Sequence, residues 1–270
     1  MPRYAVITDD AAQGVNNNPG GNIVLLTLNH QYPLKPQDSG GLLPLTRKPT
    51  IALPAQEDLF TFLTGVIADY DEVFCITTSA ALSPMYREIN KVVENQKGRV
   101  HFRLIDSQSF ASGQGGLVNK AIELIQKGKS PRQVEETIRQ VIPNIYSLFG
   151  SPNLSYLYTQ GFVDSGQLIA GEQYDLLPVF SLENGALNSL DKFKNIRGVT
   201  EYLLEFLEEY ESIASLQFVH PAQQHLSLVH ELNEYLAENL DFSQCTESHA
   251  NTFLENLIGP DGFAMILIEG

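Results

Sequence analysis

Short apolar runs alternate along this chain with longer segments of helical periodicity, and this alternation constrains the fold more than any other feature. The short runs are rich in β-branched and aromatic residues, as strands are. They cover residues 4–7, 23–28, 73–77, 100–105, 145–149, 216–219 and 263–268. Between them, segments such as 57–69 and 201–213 place their apolar residues on one helical face. Strands that alternate with helices of this length form βαβ units, so the sequence predicts an α/β fold with a mostly parallel sheet.

The pattern changes in the second half of the chain. Asn184-Gly185 separates two extended runs there, and this dipeptide between apolar runs is a strong signal for a β-hairpin. A chain of 270 residues is long enough for two domains. We therefore expect an N-terminal α/β domain over residues 1–160, with a mostly parallel sheet and flanking helices. A C-terminal α/β domain with a mixed sheet is expected over residues 161–270.

Three Ser-Pro pairs predict helix starts, because a serine hydroxyl caps a helix and proline suits its first position. They are Ser83-Pro84, Ser130-Pro131 and Ser151-Pro152. The glycine-rich segment 113–116 does not follow the spacing of a dinucleotide-binding loop, and it indicates close helix packing.

Composition limits the partners of the chain. It carries 17 Lys and Arg against 32 Asp and Glu, a formal net charge of −15, which disfavours binding to nucleic acid or to anionic membranes. Its two cysteines, Cys75 and Cys245, are far apart, and the N-terminal apolar run is too short for a signal peptide. We therefore expect reduced thiols and a cytoplasmic location. No apolar stretch approaches the ~18 residues of a transmembrane helix.

The usual motifs of catalysis are not recognisable in the sequence. His220, His225 and His230 are spaced by five residues, which turns a helix by roughly 500°, so they do not share one face as metal ligands would. No nucleophile–base pair stands out either, and a hydrolase would need one. The residues thus predict no metal site, no cofactor and no catalytic residue.

A run of small hydroxyl residues, 77–83, follows the predicted buried strand 73–77 and ends where a helix begins. Ligands of open α/β sheets bind at the carboxyl ends of strands, and a helix N-terminus favours a carboxylate or phosphate. Ser83 is therefore either a ligand-binding residue or simply a helix cap.

Five short segments occur in a characteristic order: VITDD at residues 6–10, TIALPA at 50–55, SAALSPMY at 79–86, IDSQS at 105–109 and KGKS at 127–130. Their order resembles the DegV family of lipid-binding proteins over nearly the whole chain. Family members carry V-T-D-S at the end of the first strand, T-T-S-Q-P-S before a helix, S-S-x-L-S-G-T-Y at the next turn, and I-D-S-x-S followed by a glycine-rich helix start and a K-G-K-S turn.

The resemblance implies a two-domain protein that binds a fatty acid or related lipid in a tunnel at the domain interface. In the family the carboxylate is held by hydroxyls of the T-S and L-S turns, by an arginine in a G-R-I segment and by a late histidine. A separate fatty-acid kinase acts on the presented carboxylate, so the carrier itself performs no catalysis.

This sequence departs from the family at those head-group positions. Ile51 and Ala52 replace the T-S pair, Phe162 stands at the arginine, and Leu257 stands at the histidine. Pro84 replaces the glycine that follows the L-S serine. The polar anchors that remain are Ser83 and, less directly, Ser79 and Thr50. Either the ligand has a neutral or smaller head group, or the chain has kept the fold and left the kinase pathway.

Three functions remain in competition at this stage. The first is a lipid carrier with Ser83 at the head group. The second is an interaction or regulatory protein of the same fold, in which Ile51, Phe162 and Leu257 pack as core. The third is an enzyme that turns over an acyl ester or phosphate at Ser83.

Overall fold

The structure is a computed structural model, and it describes residues 2–32, 51–94, 101–221 and 245–270. Within them the chain divides into two compact units. The first unit contains residues 2–31, 53–94, 101–145 and 182–187; the second contains 32, 51–52, 146–181, 188–221 and 245–270. The chain passes from the first unit to the second between Ile145 and Tyr146, because the strand that starts there belongs to the second sheet. Residues 160 and 161, where the sequence places a domain boundary, both lie in the second unit.

The first unit is built on a four-stranded sheet in which every pairing is parallel. Its strands are β1 (Tyr4–Asp9), β2 (Ile23–Leu28), β3 (Glu72–Thr77) and β4 (His101–Asp106), in the order β2-β1-β3-β4. Its helices are α1 (Gln56–Asp69), α2 (Met85–Glu94), α3 (Ala111–Gln126) and α4 (Pro131–Val141). A 3-10 turn, Ile142–Asn144, follows α4. The predicted parallel sheet with flanking helices is confirmed.

The core of this unit explains why these strands are continuous apolar runs. All six residues of β1 are buried, and so are five of the six in β3. Strands covered on both faces need apolar side chains at successive positions. One face packs against α1 and α2 through a single cluster of buried residues, which includes Ile7, Leu63, Val73, Cys75, Met85 and Ile89.

The second unit contains a six-stranded mixed sheet in the order β7-β6-β5-β10-β8-β9. Its strands are β5 (Ile145–Gly150), β6 (Leu177–Glu183), β7 (Ala186–Phe193), β8 (Ile213–His220), β9 (Cys245–His249) and β10 (Phe263–Glu269). Its helices are α5 (Leu154–Gln160), α6 (Ser165–Gln173), α7 (Ile196–Glu208) and α8 (Thr252–Ile258). β10 pairs antiparallel with β8, and β8 pairs parallel with β9, so the predicted mixed sheet is confirmed.

The hairpin signal at Asn184-Gly185 is also confirmed. These two residues connect β6 to β7, and both have positive φ, 51° and 74°. A two-residue turn of type I′ requires positive φ at both central positions, and Asn and Gly adopt it at low cost.

The Ser-Pro pairs have three different outcomes. Ser130 caps α4, and Gln133 completes the capping box, as predicted. α2 begins at Met85, one residue after Pro84. The prediction for Ser151 is wrong, because Asn153 caps α5 and the Ser151 Oγ accepts the Asn153 backbone N–H at 3.1 Å. The predicted helix over 201–213 is also displaced, since Asn195 caps α7 and β8 takes residues from Ile213 onward.

The glycine-rich segment 113–116 lies in the first turns of α3, where close packing was predicted. A Cβ atom at Gly115 would overlap the backbone carbonyl oxygen of Gln13, and one at Gly113 would overlap the Ser109 hydroxyl. Glycine is therefore required here by the approach of neighbouring chain to the helix. Among the described helices, none is long and apolar enough to cross a membrane.

Candidate ligand site

Buried polar side chains collect at the carboxyl ends of the strands of the first sheet. β1 ends at Asp9, β3 at Thr77 and β4 at Asp106, and the parallel register places Thr77 opposite Asp106. The hydroxyl residues that follow these strand ends are buried although they are polar; they are Thr78, Ser79, Ser83, Ser107 and Ser109. This edge is where ligands bind in open α/β sheets.

Two carboxylates fix the loop 77–83 that leads from β3 to α2. The Oδ2 of Asp9 accepts the Thr78 backbone N–H at 2.8 Å, and the Oδ1 of Asp106 accepts that of Ala80 at 3.2 Å. The loop then folds onto itself, because the Ser83 backbone N–H donates to the Ser79 carbonyl at 3.0 Å. Backbone donors that would otherwise be buried without partners are satisfied in this way.

Ser83 is hydrogen-bonded to a histidine that is far away in the sequence. Its Oγ lies 2.8 Å from the Nε2 of His30, and the Nδ1 of His30 lies 2.6 Å from the Oδ1 of Asp10. Ser83 keeps 2% of its surface exposed and His30 keeps 4%. The Oγ of Ser83 also accepts the backbone N–H of Met85, the first residue of α2, at 3.2 Å. We call Asp10, His30 and Ser83 the polar triad.

The topology of the sheet explains why these three residues meet. Asp10 directly follows β1, and His30 lies two residues beyond the end of β2. β1 and β2 are parallel neighbours in which Asp9 pairs with Leu28, so both strands deliver their next residues to the same edge. Ser83 arrives at this edge through the loop that follows β3.

Burial removes two carboxyl groups at these strand ends, Asp9 and Asp106, from water. Burial raises the pKa of Asp9, while His30, the Thr78 and Ala11 N–H groups and Gln114 oppose that shift. Burial likewise raises the pKa of Asp106, against the N–H groups of Gln108 and Ala80. In both cases the cause is desolvation, which disfavours the charged form of a carboxyl group.

Asp9, Asp10 and His30 also form a cluster of potential metal ligands. One ligand atom of each lies within 4.8 Å of the others, and no other such group occurs in the part of the chain that the structure describes. Both ring nitrogens of His30 already contact protein atoms, those of Asp10 and Ser83. Asp9 is bonded to backbone N–H groups and to Gln114. Hydrogen bonding within the protein therefore accounts for the geometry of the cluster.

The residues selected from the sequence fall into two groups. Ser79 and Ser83 lie together in the 77–83 loop of the first unit, and both are buried. Ile51, Ala52, Phe162 and Leu257 belong to the second unit. Thr50 lies outside the described residues.

The positions in the second unit differ in how far they are buried. Leu257 is fully buried in α8. Phe162 is half-buried, and its backbone N–H donates to the Leu157 carbonyl at 2.9 Å, just after Gly161 ends α5 in a left-handed conformation. Ile51 and Ala52 are half-buried.

Sequence reasoning missed Asp10 and His30. It considered no pairing of Ser83 with His30, whose Nε2 lies 2.8 Å from the Ser83 Oγ. The signal was present in the sequence as polar residues placed directly after the predicted strands 4–7 and 23–28. The three histidines that were considered do not include His30; His225 and His230 lie outside the described residues, and His220 contacts Glu247 in the second unit.

The fold and this site define a class of α/β protein with two sheets, one parallel and one mixed, and a buried polar cluster at the strand ends of the parallel sheet. Residues 45–270 match the family model described as "Uncharacterised protein, DegV family". The chain therefore belongs to the DegV family. A DegV domain-containing protein of Caldanaerobacter subterraneus, TTE1491, is 22% identical over 287 aligned positions, which cover all of both chains.

Solved structures extend the likeness to the whole fold. A fatty acid binding DegV family protein from Streptococcus agalactiae, SAG1342, superposes with a TM-score of 0.81 at 17% identity and covers all of both chains. The Fatty Acid Kinase (Fak) B3 protein of Streptococcus pneumoniae, loaded with linoleic acid, superposes with a TM-score of 0.77 at 16% identity, covering 99% of this chain and 100% of that one.

Proposed function

We propose that this chain binds a fatty acid or a closely related lipid, with the head group at Ser83 and His30, and that it acts as a carrier. Two solved relatives of the same fold are described as fatty acid binding or as loaded with linoleic acid. The observation that carries the proposal is the 2.8 Å contact between Ser83 Oγ and His30 Nε2 at the strand ends of the first sheet.

The polar triad offers what a buried carboxyl group needs. Such a group is costly to bury unless hydrogen bonds or opposite charge compensate it. On ligand binding the Ser83 hydroxyl would turn from His30 Nε2 to the carboxyl group, and the N-terminus of α2 adds its partial positive charge. The Oγ1 of Thr77 at the end of β3 is buried without a hydrogen-bond partner among the described residues, so it is a further donor.

The charges around the site favour a head group that is not fully anionic. Asp9 and Asp10 flank His30, and a third carboxylate beside them would be repelled. We infer that the head group is neutral or a protonated carboxyl group rather than an isolated anion. A fatty alcohol or ester is accommodated by the same donors.

The finer parts of the proposal follow the resemblance. As the resemblance implies, the acyl chain would occupy a long apolar tunnel. A separate fatty-acid kinase would be the partner that receives the presented head group, and the protein would work in the cytoplasm. Support for that location comes from Cys75, a free thiol that is buried in the first unit.

The test is native mass spectrometry of the purified protein, followed by extraction and identification of released lipid. We expect a fatty acid at one equivalent. Ser83→Ala should weaken its binding by about two- to tenfold, because a hydrogen bond between neutral groups contributes roughly 0.5–1.5 kcal/mol. Ser130→Ala is the matched control, since it removes a serine cap before a proline in α4. Equal affinity of wild type and Ser83→Ala would remove Ser83 from the site.

A second candidate is an interaction or regulatory protein whose head-group site is lost. The complete burial of Leu257 in α8 favours it, because that position packs as core. A clean apo mass, with no uptake of fatty acid, alcohol or ester in a displacement assay, would support this candidate against the carrier.

A further inference from the structure

The polar triad has the connectivity of an activated serine. In the neutral tautomer of His30 that carries its proton on Nδ1, this N–H donates to the Asp10 Oδ1 at 2.6 Å and Nε2 is the acceptor. Nε2 then accepts the hydroxyl proton of Ser83 across 2.8 Å. A nucleophile bonded to a base that is itself oriented by a carboxylate is the geometry that acyl-transfer sites use on unrelated folds.

The other Ser-Pro pairs of the chain show that this bonding is specific to Ser83. Ser151 is also buried, precedes Pro152, and accepts the backbone N–H two residues later, at 3.1 Å. Its hydroxyl, however, donates to the Asn153 carbonyl at 3.3 Å. The hydroxyl of Ser130 contacts the Gln133 side chain. Of these three serines, Ser83 is the one hydrogen-bonded to a histidine.

We propose that Ser83 is a nucleophile that accepts an acyl group from an activated fatty acyl ester. The Oγ of Ser83 attacks the carbonyl carbon, and the new C–O bond forms as the bond from that carbon to the leaving oxygen breaks. The hydroxyl proton passes to His30 Nε2 and then to the leaving oxygen, which departs as an alcohol or phenol. The product is an acyl ester on Ser83. Asp10 acts through His30 and is a positioning residue.

Two features restrict the reaction to slow acylation by a bound donor. Serine hydrolases often use the backbone N–H after the nucleophile to stabilise the oxyanion, and Pro84 has none. The next backbone N–H groups along the chain belong to the first turn of α2, and that of Met85 already donates to the Ser83 Oγ. Ser83 is also 2% exposed, so the donor must enter the protein with its acyl chain before it can react.

The test uses the full-length protein and a fluorophosphonate probe with a long alkyl chain, which forms a covalent bond with an activated serine and releases fluoride. Intact-mass measurement should show one adduct, and peptide mapping should place it on Ser83 and not on Ser151. This result does not depend on any variant folding. A stoichiometric burst of nitrophenol from p-nitrophenyl decanoate, with little turnover afterwards, is expected from the same site.

Variants then separate activation from packing. His30→Gln should slow labelling on the order of a hundredfold, because positioned general bases contribute at least that much. Asp10→Asn should lower the maximal labelling rate, and measuring that rate over a range of pH and of probe concentration separates lost orientation of His30 from lost binding of the probe. Equal labelling of wild type and His30→Gln, an adduct at Ser151, or no adduct would each overturn the proposal.

The same experiments keep the two proposals of function apart. A protein that holds a fatty acid and gives no adduct remains a carrier without a reactive serine. A protein that forms the Ser83 adduct and takes up no fatty acid has the nucleophile and lacks the carrier function.

Discussion

Asp9 and Thr78 are 69 positions apart in the chain, and the Asp9 carboxylate holds the Thr78 backbone N–H at 2.8 Å. The other carboxylate oxygen accepts the Ala11 backbone N–H at 3.2 Å and the Gln114 side-chain amide at 3.0 Å. Asp9 is thus the buried acceptor that ties the ends of β1 and β3 to α3. The loop that carries Ser83 begins at this junction.

We expect Asp9→Asn to destabilise the protein by about 1–3 kcal/mol, the cost of a buried hydrogen-bonding group left without a partner. An asparagine amide group in place of one oxygen would face a donor, either Thr78 N–H or Ala11 N–H. The measurement is urea unfolding followed by circular dichroism. Asp69→Asn, at an exposed position of α1, is the control and should change stability by no more than about 0.5 kcal/mol. Equal effects of the two substitutions would show that the Asp9 contacts add no stability.

The free energy of unfolding should depend on pH through the protonation of Asp9. Burial raises its pKa in the folded protein, so the folded state binds more protons than the unfolded state above the ordinary value of 3.8. The stabilising contribution of Asp9 to the free energy of unfolding is therefore greatest below pH 3.8. It declines as the pH rises through the raised pKa of Asp9. We expect the stability difference between wild type and Asp9→Asn to shrink as pH increases from about 4. A difference that is constant, or that grows with pH, contradicts the raised pKa.

Cys75 should be unreactive until the first unit opens. Its thiol is fully buried in β3, and burial together with the neighbouring Asp9 raises its pKa well above the ordinary value. In a Cys245→Ser background, reaction with Ellman's reagent should be ~10³-fold or more slower than that of the urea-unfolded chain, because opening is that rare. Rapid reaction in the native state would mean that the β3 strand is accessible.

Two helical glycines should respond in opposite directions to alanine. At Gly115 in α3 the new Cβ would overlap the Gln13 carbonyl, and we expect a loss of about 1–3 kcal/mol from overpacking. At Gly65 in α1 nothing lies within 4 Å of the Cβ position, so alanine should stabilise the protein by about 0.5–1 kcal/mol. Thermal unfolding of both variants measures this, and a stabilising Gly115→Ala would contradict the close approach of Gln13.

The fold was predictable because its signals are local. β1 and β3 are buried on both faces, so they appear in the sequence as continuous apolar runs, and Asn184-Gly185 adopts the dihedral angles that its hairpin needs. Helix ends were less predictable. The Ser151-Pro152 pair predicts a cap at Ser151, whereas Asn153, two residues later, is the residue that caps α5.

The candidate site was only half predictable. Ser83 is recognisable by its place after a buried strand, but its partner His30 is 53 positions away and reaches it through the order of the strands. The sequence alone does not show that β2 pairs with β1, nor that the two strands end at the same edge of the sheet. Without that register, Asp10 and His30 are ordinary polar residues at two separate loop starts.

His30 is part of the candidate site, but it does not take part in the pairing of the sheet. β2 is an edge strand among the described strands of the first sheet, and His30 lies beyond its last paired residue. A substitution there changes what faces the Ser83 hydroxyl at a position outside the paired residues of the four strands. Under the proposed function, single replacements at residue 30 would therefore alter the head group the protein accepts without changing a residue of the sheet register.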